Sequence, residues 1–109
     1  TIVLGSTDTD TSNSGNVTLD FSAHQNFVLT LTGNVTLVNP STERVGQSGC
    51  ITFIQDSTGG RTLTLGTDYE TAGGAGITLT TSASATDLVP YVVVAANRIL
   101  LGTPQRNFS

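Results

Sequence analysis

GCITFIQDSTGGRTLTL, residues Gly49–Leu65, decides the fold class. Cys50 to Gln55 is dense in β-branched and aromatic residues, which suit a pleated, packed surface. Asp56-Ser57-Thr58-Gly59-Gly60 is turn chemistry, because paired glycines adopt φ > 0 without a Cβ clash. Arg61 to Leu65 then alternates polar and apolar, as a half-buried strand does. Leu63 and Leu65 face one way, Thr62 and Thr64 the other. The expectation is a hairpin. Its first strand is apolar on both faces: Ile51 and Phe53 on one, Cys50 and Ile54 on the other. Such a strand is covered twice, and in a short chain another copy can supply the second cover.

Outward from this stretch the pattern repeats. Val17, Leu19 and Phe21 alternate along a strand from Asn16 to Phe21, and Ser22 to Asn26 is a turn containing His24. Phe27, Leu29 and Leu31 mark the next strand. Gly33-Asn34 reads as a tight hairpin turn, after which Val35 to Val38 pairs back and Asn39-Pro40 ends it. GNVTL occurs at Gly15 to Leu19 and again at Gly33 to Leu37; two copies are too few for a solenoid and read as reused hairpin chemistry. Ser41 to Ser48 is a polar loop holding the charge pair Glu43 and Arg44. Gly66 to Gly76 is a long glycine-dense loop, Ile77 to Thr80 a short strand, and Ser82 to Asp87 a small-residue loop. Leu88 to Ala95 is the most apolar strand, with Pro90 inside it, placing it at an edge, at a bulge, or starting there. Ala96-Asn97-Arg98 turns into Ile99 to Leu101, and Gly102 to Ser109 is a polar tail.

Turns every ~8–12 residues are the spacing of an antiparallel sandwich or barrel. The expected fold is all-β, with about eight or nine short strands and no βαβ alternation. At 109 residues the chain is one domain. Residues 1–15 are expected to be an N-terminal arm and flexible linker, and residues 16–109 a single β domain. Ile2, Val3 and Leu4 form the apolar part of a docking arm; GSTDTDTSNSG, from Gly5 to Gly15, is too polar to bury. Asp8 and Asp10 lack the glycine and closing glutamate of a calcium loop, so a solvated loop is expected there.

Composition excludes several functions. Charged residues are 11% of the chain, against about 25% on average. The net charge is −4 and the four basic residues, all Arg, are scattered. Nucleic-acid binding needs clustered Lys or Arg to neutralise phosphates. No apolar run reaches the ~20 residues that span a bilayer, and no signal peptide is visible. Cys50 stands alone and reads as a small buried hydrophobe. No Ser-His-Asp set, phosphate loop, dinucleotide fingerprint or zinc spacing is present. The expectation is no enzyme, no cofactor and no metal.

GQSGCITFIQDSTGGRTLTLG, flanked by LDFSAHQNFVLTLTGNVTLVNP upstream and ATDLVPYVVVAANRILLG downstream, resembles a module of tail fibres, spikes and other surface proteins of tailed bacteriophages. The resemblance runs from about Val17 to the C-terminus. It implies an all-β, trimeric, non-enzymatic protein of the virion surface. Two places fit: the tip of a fibre or spike, attaching to host glycans, or the outside of the head as a decoration (cement) protein. Partners would be further copies of itself and the major capsid or fibre protein. The chain departs from the family's pattern between Gly66 and Gly74, which is acidic and has Tyr69 as its only aromatic. Asp68, Tyr69 and Glu70 are the candidate glycan contacts, a stacking ring between two acceptors. His24 is a candidate for a three-fold axis. The alternative is a free carbohydrate-binding module of a secreted protein, for which Tyr69 and Tyr91 make a thin aromatic platform.

Overall fold

The computed structural model describes residues 6–108. Eight strands form one sheet: β1 (Thr7–Val17), β2 (Asn26–Leu37), β3 (Ser48–Gln55), β4 (Leu63–Leu65), β5 (Tyr69–Thr71), β6 (Thr86–Ala95), β7 (Arg98–Leu101) and β8 (Gln105–Phe108). One 3-10 turn, Ala72–Gly74, is the only helical piece among the described residues. The all-β class and the strand number agree with the sequence. The path across the sheet is β1-β2-β3-β6-β7-β5, with β4 beside β2 and β8 beside β6.

The pairing is mixed rather than antiparallel throughout. β1–β2, β2–β3, β2–β4 and β5–β7 are parallel; β3–β6, β6–β7 and β6–β8 are antiparallel. Parallel neighbours need a return connection, and two such returns build the roof of the core. The first, residues 18–25, buries Leu19 and Phe21. Phe21 meets Phe27 edge-on at 5.2 Å and Tyr91 at 5.3 Å, a favoured aromatic geometry. Leu19 and Phe21 do share a face, as their alternation implies, but they lie in a crossover and not in a strand. The second return, residues 38–47, is tied to the first where Phe21 N donates to Thr42 Oγ1 at 3.0 Å.

Three hairpin expectations have different outcomes. The β6–β7 hairpin forms as read, with Val92 opposite Leu100. Gly33-Asn34 does not turn; β2 passes straight through it. The glycine serves a close approach instead, since a Cβ on Gly33 would meet Ser14 Cβ at 2.8 Å. Asn34 Oδ1 accepts from Thr62 N at 3.1 Å, and the two GNVTL copies lie side by side, with Val17 opposite Leu37. That register offsets them by two residues, which keeps every side chain on its face.

Gly59-Gly60 does turn, with φ of 72° and 75°, yet β4 does not fold back on β3. It runs on beside the second half of β2, Val35 opposite Leu63 and Leu37 opposite Leu65, while β3 holds the first half, Phe27 opposite Ile51 through Leu31 opposite Gln55. Gln55 directs the chain. It is 3% exposed; its Nε2 donates to Arg61 O at 2.8 Å and Thr80 O at 3.0 Å, and its Oε1 accepts from Arg61 N at 3.0 Å. Asp56 Oδ1 accepts from Thr58 N and Gly59 N, and its other oxygen pairs with Arg61 at 3.0 Å.

The same clamp explains why Ile77 to Thr80 is not a ladder strand. Thr80 N donates to the buried Asp87 carboxylate at 2.7 Å, and Gly60 N donates to Thr81 O at 2.8 Å. Side chains and a loop satisfy the backbone that a neighbouring strand would otherwise take. Asp87 also accepts from Asn107 N at 2.9 Å, which helps turn the expected polar tail into β8. Pro90 lies inside β6, where the strand on that side changes from β7, beginning at Tyr91, to β8, ending at Leu88. No ladder donor is required at that break.

Residues 7–15, expected as part of a flexible linker, lie in β1 and pair with β2. Their polarity is that of an edge strand, and the pairing breaks at Asp10/Asn13 and Asn13/Gly15. Asn13 is buried at the first break and donates Nδ2 to Asp10 O and Thr30 O, at 3.0 and 3.1 Å. The arm residues Ile2, Val3 and Leu4 lie outside the described residues. Cys50, expected to be buried, is half-buried on the outward face opposite Pro90.

Candidate functional site

Past the Gln55 clamp, β4 and β5 flank a cleft of about 560 Å³, closed on the far side by residues 74–77. That volume falls in the range of ligand sites. Leu63, Leu65 and Ile77 pack against the core cluster and supply apolar walls. Thr64 is exposed between the two leucines, and Thr71 closes the end of β5. Thr71 Oγ1 accepts from Gly76 N at 2.8 Å, holding the glycine-rich rim in place.

The candidate residues Asp68, Tyr69 and Glu70 are separated by strand alternation. Tyr69 points inward and is 5% exposed, so its ring is a wall of the cleft and no open stacking platform. Burial first, then the Glu43 and Asp68 carboxylates, push the Tyr69 hydroxyl far above its ordinary pKa. It stays a neutral hydroxyl, and it has no partner among the described residues; nor has the buried Glu43 Oε1. Glu70 lines the cleft, while its carboxylate is engaged by Arg98 at 2.7 and 3.2 Å. That guanidinium holds Glu70 below the usual carboxylate range. Asp68 stands outside the cleft at the turn, where its N–H donates to Asn39 Oδ1 at 2.8 Å and its carbonyl accepts from Ile99 N at 2.8 Å.

His24 sits in the first return. Its Nδ1 lies 3.1 Å from Ser6 Oγ, and its ring stands edge-on to Phe27 at 6.3 Å. Among the described residues no three His, Cys, Asp or Glu side chains converge as metal ligands, and no helix is long and apolar enough to cross a membrane. The Leu63–Leu65 wall was missed in the sequence because both leucines read as the core side of a hairpin. The glycine density of residues 66–76 is the signal that did mark this region.

Three carboxylates are held below their ordinary pKa: Asp20 by Ser22, Asp56 by Arg61 and Glu70 by Arg98. A carboxyl whose pKa is lower in the folded state stabilises the fold above its unfolded value, and the contribution is lost as pH falls through the folded value. The melting temperature is therefore expected to stay level from neutrality to about pH 5 and to decline below about pH 4. An NMR titration giving midpoints at or above the peptide values for these three groups would contradict the assignment.

A comparison with known families identifies the chain. Residues 10–95, well over half of it, match the family described as "Putative phage tail fibre C-terminal domain". The chain belongs to this family. As a phage tail fibre C-terminal domain it is a structural component of the virion that meets other virion proteins. The matched span starts within β1, earlier than the Val17 limit of the sequence resemblance, and encloses the whole cleft; it stops before β7. No curated protein and no solved structure gave a match.

Proposed function

We propose that this tail fibre domain is a non-enzymatic, homotrimeric host-attachment module whose cleft takes a neutral surface glycan. The observation that carries the reading is the cleft itself. Its walls are apolar, its rim offers Thr64 and Thr71 hydroxyls, and its one acidic residue is already neutralised by Arg98. A sugar presents an apolar C–H face and a ring of hydroxyls, which suits that lining. Glycoside hydrolysis needs two carboxyls about 5–9.5 Å apart, and the lining has one. The family match favours the fibre over a decoration protein of the head and over a free secreted module.

The test is NMR titration of the labelled protein with host-surface oligosaccharides. Shifts are expected at Thr64, Glu70, Thr71 and Ile77. Thr64→Trp, which fills the cleft from an exposed position, is expected to weaken binding about tenfold or more with an unchanged melting temperature. Absence of binding across a glycan array, or shifts confined to another surface, would overturn the assignment. Mass spectrometry of purified virions is expected to find the chain far below the major capsid protein in copy number. Parity would place it on the head.

A further inference from the structure

We infer that the cleft takes a sugar carrying an acetamido group, held by the unpaired backbone of the two strand edges that flank it. This rests on the glycan reading above and deepens it by naming the sugar class. Leu63, Thr64 and Leu65 of β4 all line the cleft, and so do Tyr69, Glu70 and Thr71 of β5. Successive residues of a strand point to opposite faces, so a cleft lined by all of them runs along the edges. The ladders fix which backbone groups lie there. Val35 N donates to Thr62 O at 2.9 Å and Gly66 N to Leu37 O at 2.7 Å. Residues 62, 64 and 66 therefore turn their backbone to β2, and Leu63 and Leu65 turn theirs to the open edge. On β5, Ile99 N donates to Asp68 O at 2.8 Å, so Asp68 and Glu70 face β7 while Tyr69 and Thr71 face away. Tyr69 N is taken by Gly66 O. The N–H and C=O of Leu63 and Leu65, the Tyr69 carbonyl and the Thr71 N–H have no partner among the described residues.

Three features of this lining suit an acetamido group. The group carries one N–H donor and one C=O acceptor, the same pair that a neighbouring strand would offer to Leu63 or Leu65. Its methyl finds the apolar walls of Leu63, Leu65 and Ile77, where burial of one carbon is worth about fourfold in affinity. It is uncharged, and the carboxylate of the cleft, Glu70, is already engaged by Arg98. A hydroxyl in its place offers a single oxygen for both contacts and brings no methyl. A whole peptide strand fits less well. β4 and β5 are three residues each, short edges resist strand addition, and residues 74–77 close the far side.

The experiment titrates the full chain with two matched pairs of sugars: N,N′-diacetylchitobiose against cellobiose, and N-acetylgalactosamine against galactose. Within each pair the members differ only in acetamido for hydroxyl. The acetamido member of at least one pair is expected to bind about tenfold tighter than its partner. Amide hydrogen exchange in that complex is expected to slow at Leu63, Leu65 and Thr71. It should stay as in the free protein at Thr64 and Glu70, whose amides are already held by β2 and β7. Equal binding within both pairs would overturn the acetamido assignment and leave a glycan-binding cleft in place. Tighter binding with unchanged exchange at the three amides would overturn the strand edges as the reading groups. Leu63 and Leu65 amides already protected in the free protein would do the same, because the edge would then be occupied. Binding of none of the four sugars would overturn the acetamido assignment, and the glycan array decides the wider reading separately.

Discussion

Phe27→Ala is expected to cost about 3–5 kcal/mol of folding stability, the usual range for removing a fully buried aromatic. Phe27 is 0% exposed and stands where the first return meets the sheet, against Phe21 at 5.2 Å and Tyr91 at 6.5 Å. Its loss leaves a cavity that neither neighbour fills easily. Phe21 is tied to Thr42, and the Tyr91 hydroxyl donates to Gln25 O and accepts from Gln47. A domain of this size has about 5–15 kcal/mol in all, so the variant would keep a fraction of it. Urea denaturation checks this: the midpoint should fall with the slope unchanged. Thr18→Ala, an exposed position in the same return, is expected to stay within about 0.5 kcal/mol. Equal effects at the two sites would refute the placement of the roof.

Gln55→Leu is expected to cost about 2–4 kcal/mol, although leucine fills the same space. The amide bridges Arg61 and Thr80 through three hydrogen bonds. Leucine leaves two carbonyls and one N–H without partners, and each orphaned buried group costs about 1–3 kcal/mol. Partial access to water beside Arg61 reduces the sum. The damage should be local as well as global. Arg61 N–H is expected to exchange quickly in the variant, while Ile51 and Phe53 stay protected at low denaturant. In the attachment reading proposed above, glycan binding weakens too, because the clamp aims β4 at the cleft. A protected Arg61 amide in Gln55→Leu would show that the turn holds without it.

Both residues show how far the sequence can be read. Phe27 follows from alternation with Leu29 and Leu31, which needs only the two-residue period of a strand. Gln55 reads as the polar end of a strand, because nothing local announces that two distant carbonyls will converge on it. Tyr69 is a candidate by residue type and loop context. Its burial was not legible, because that depends on β5 docking beside β7, about thirty residues away in sequence.

What the sequence by itself determined is the all-β class, the alternation that sorts inward from outward side chains, the position of the glycine turn at Gly59-Gly60, and the family. These rest on local chemistry: β-branched propensity, the strand period and φ > 0 at glycine. What only the tertiary structure decided is which strand lies beside which. Backbone ladders are chemically alike, so Gly33-Asn34 could mark a reversal or a close strand approach, and β4 could return to β3 or continue along β2. The choice fell to long-range contacts, the Gln55 clamp, the Ser14 approach to Gly33 and the Phe21 roof. The cleft exists because those contacts sent β4 forward.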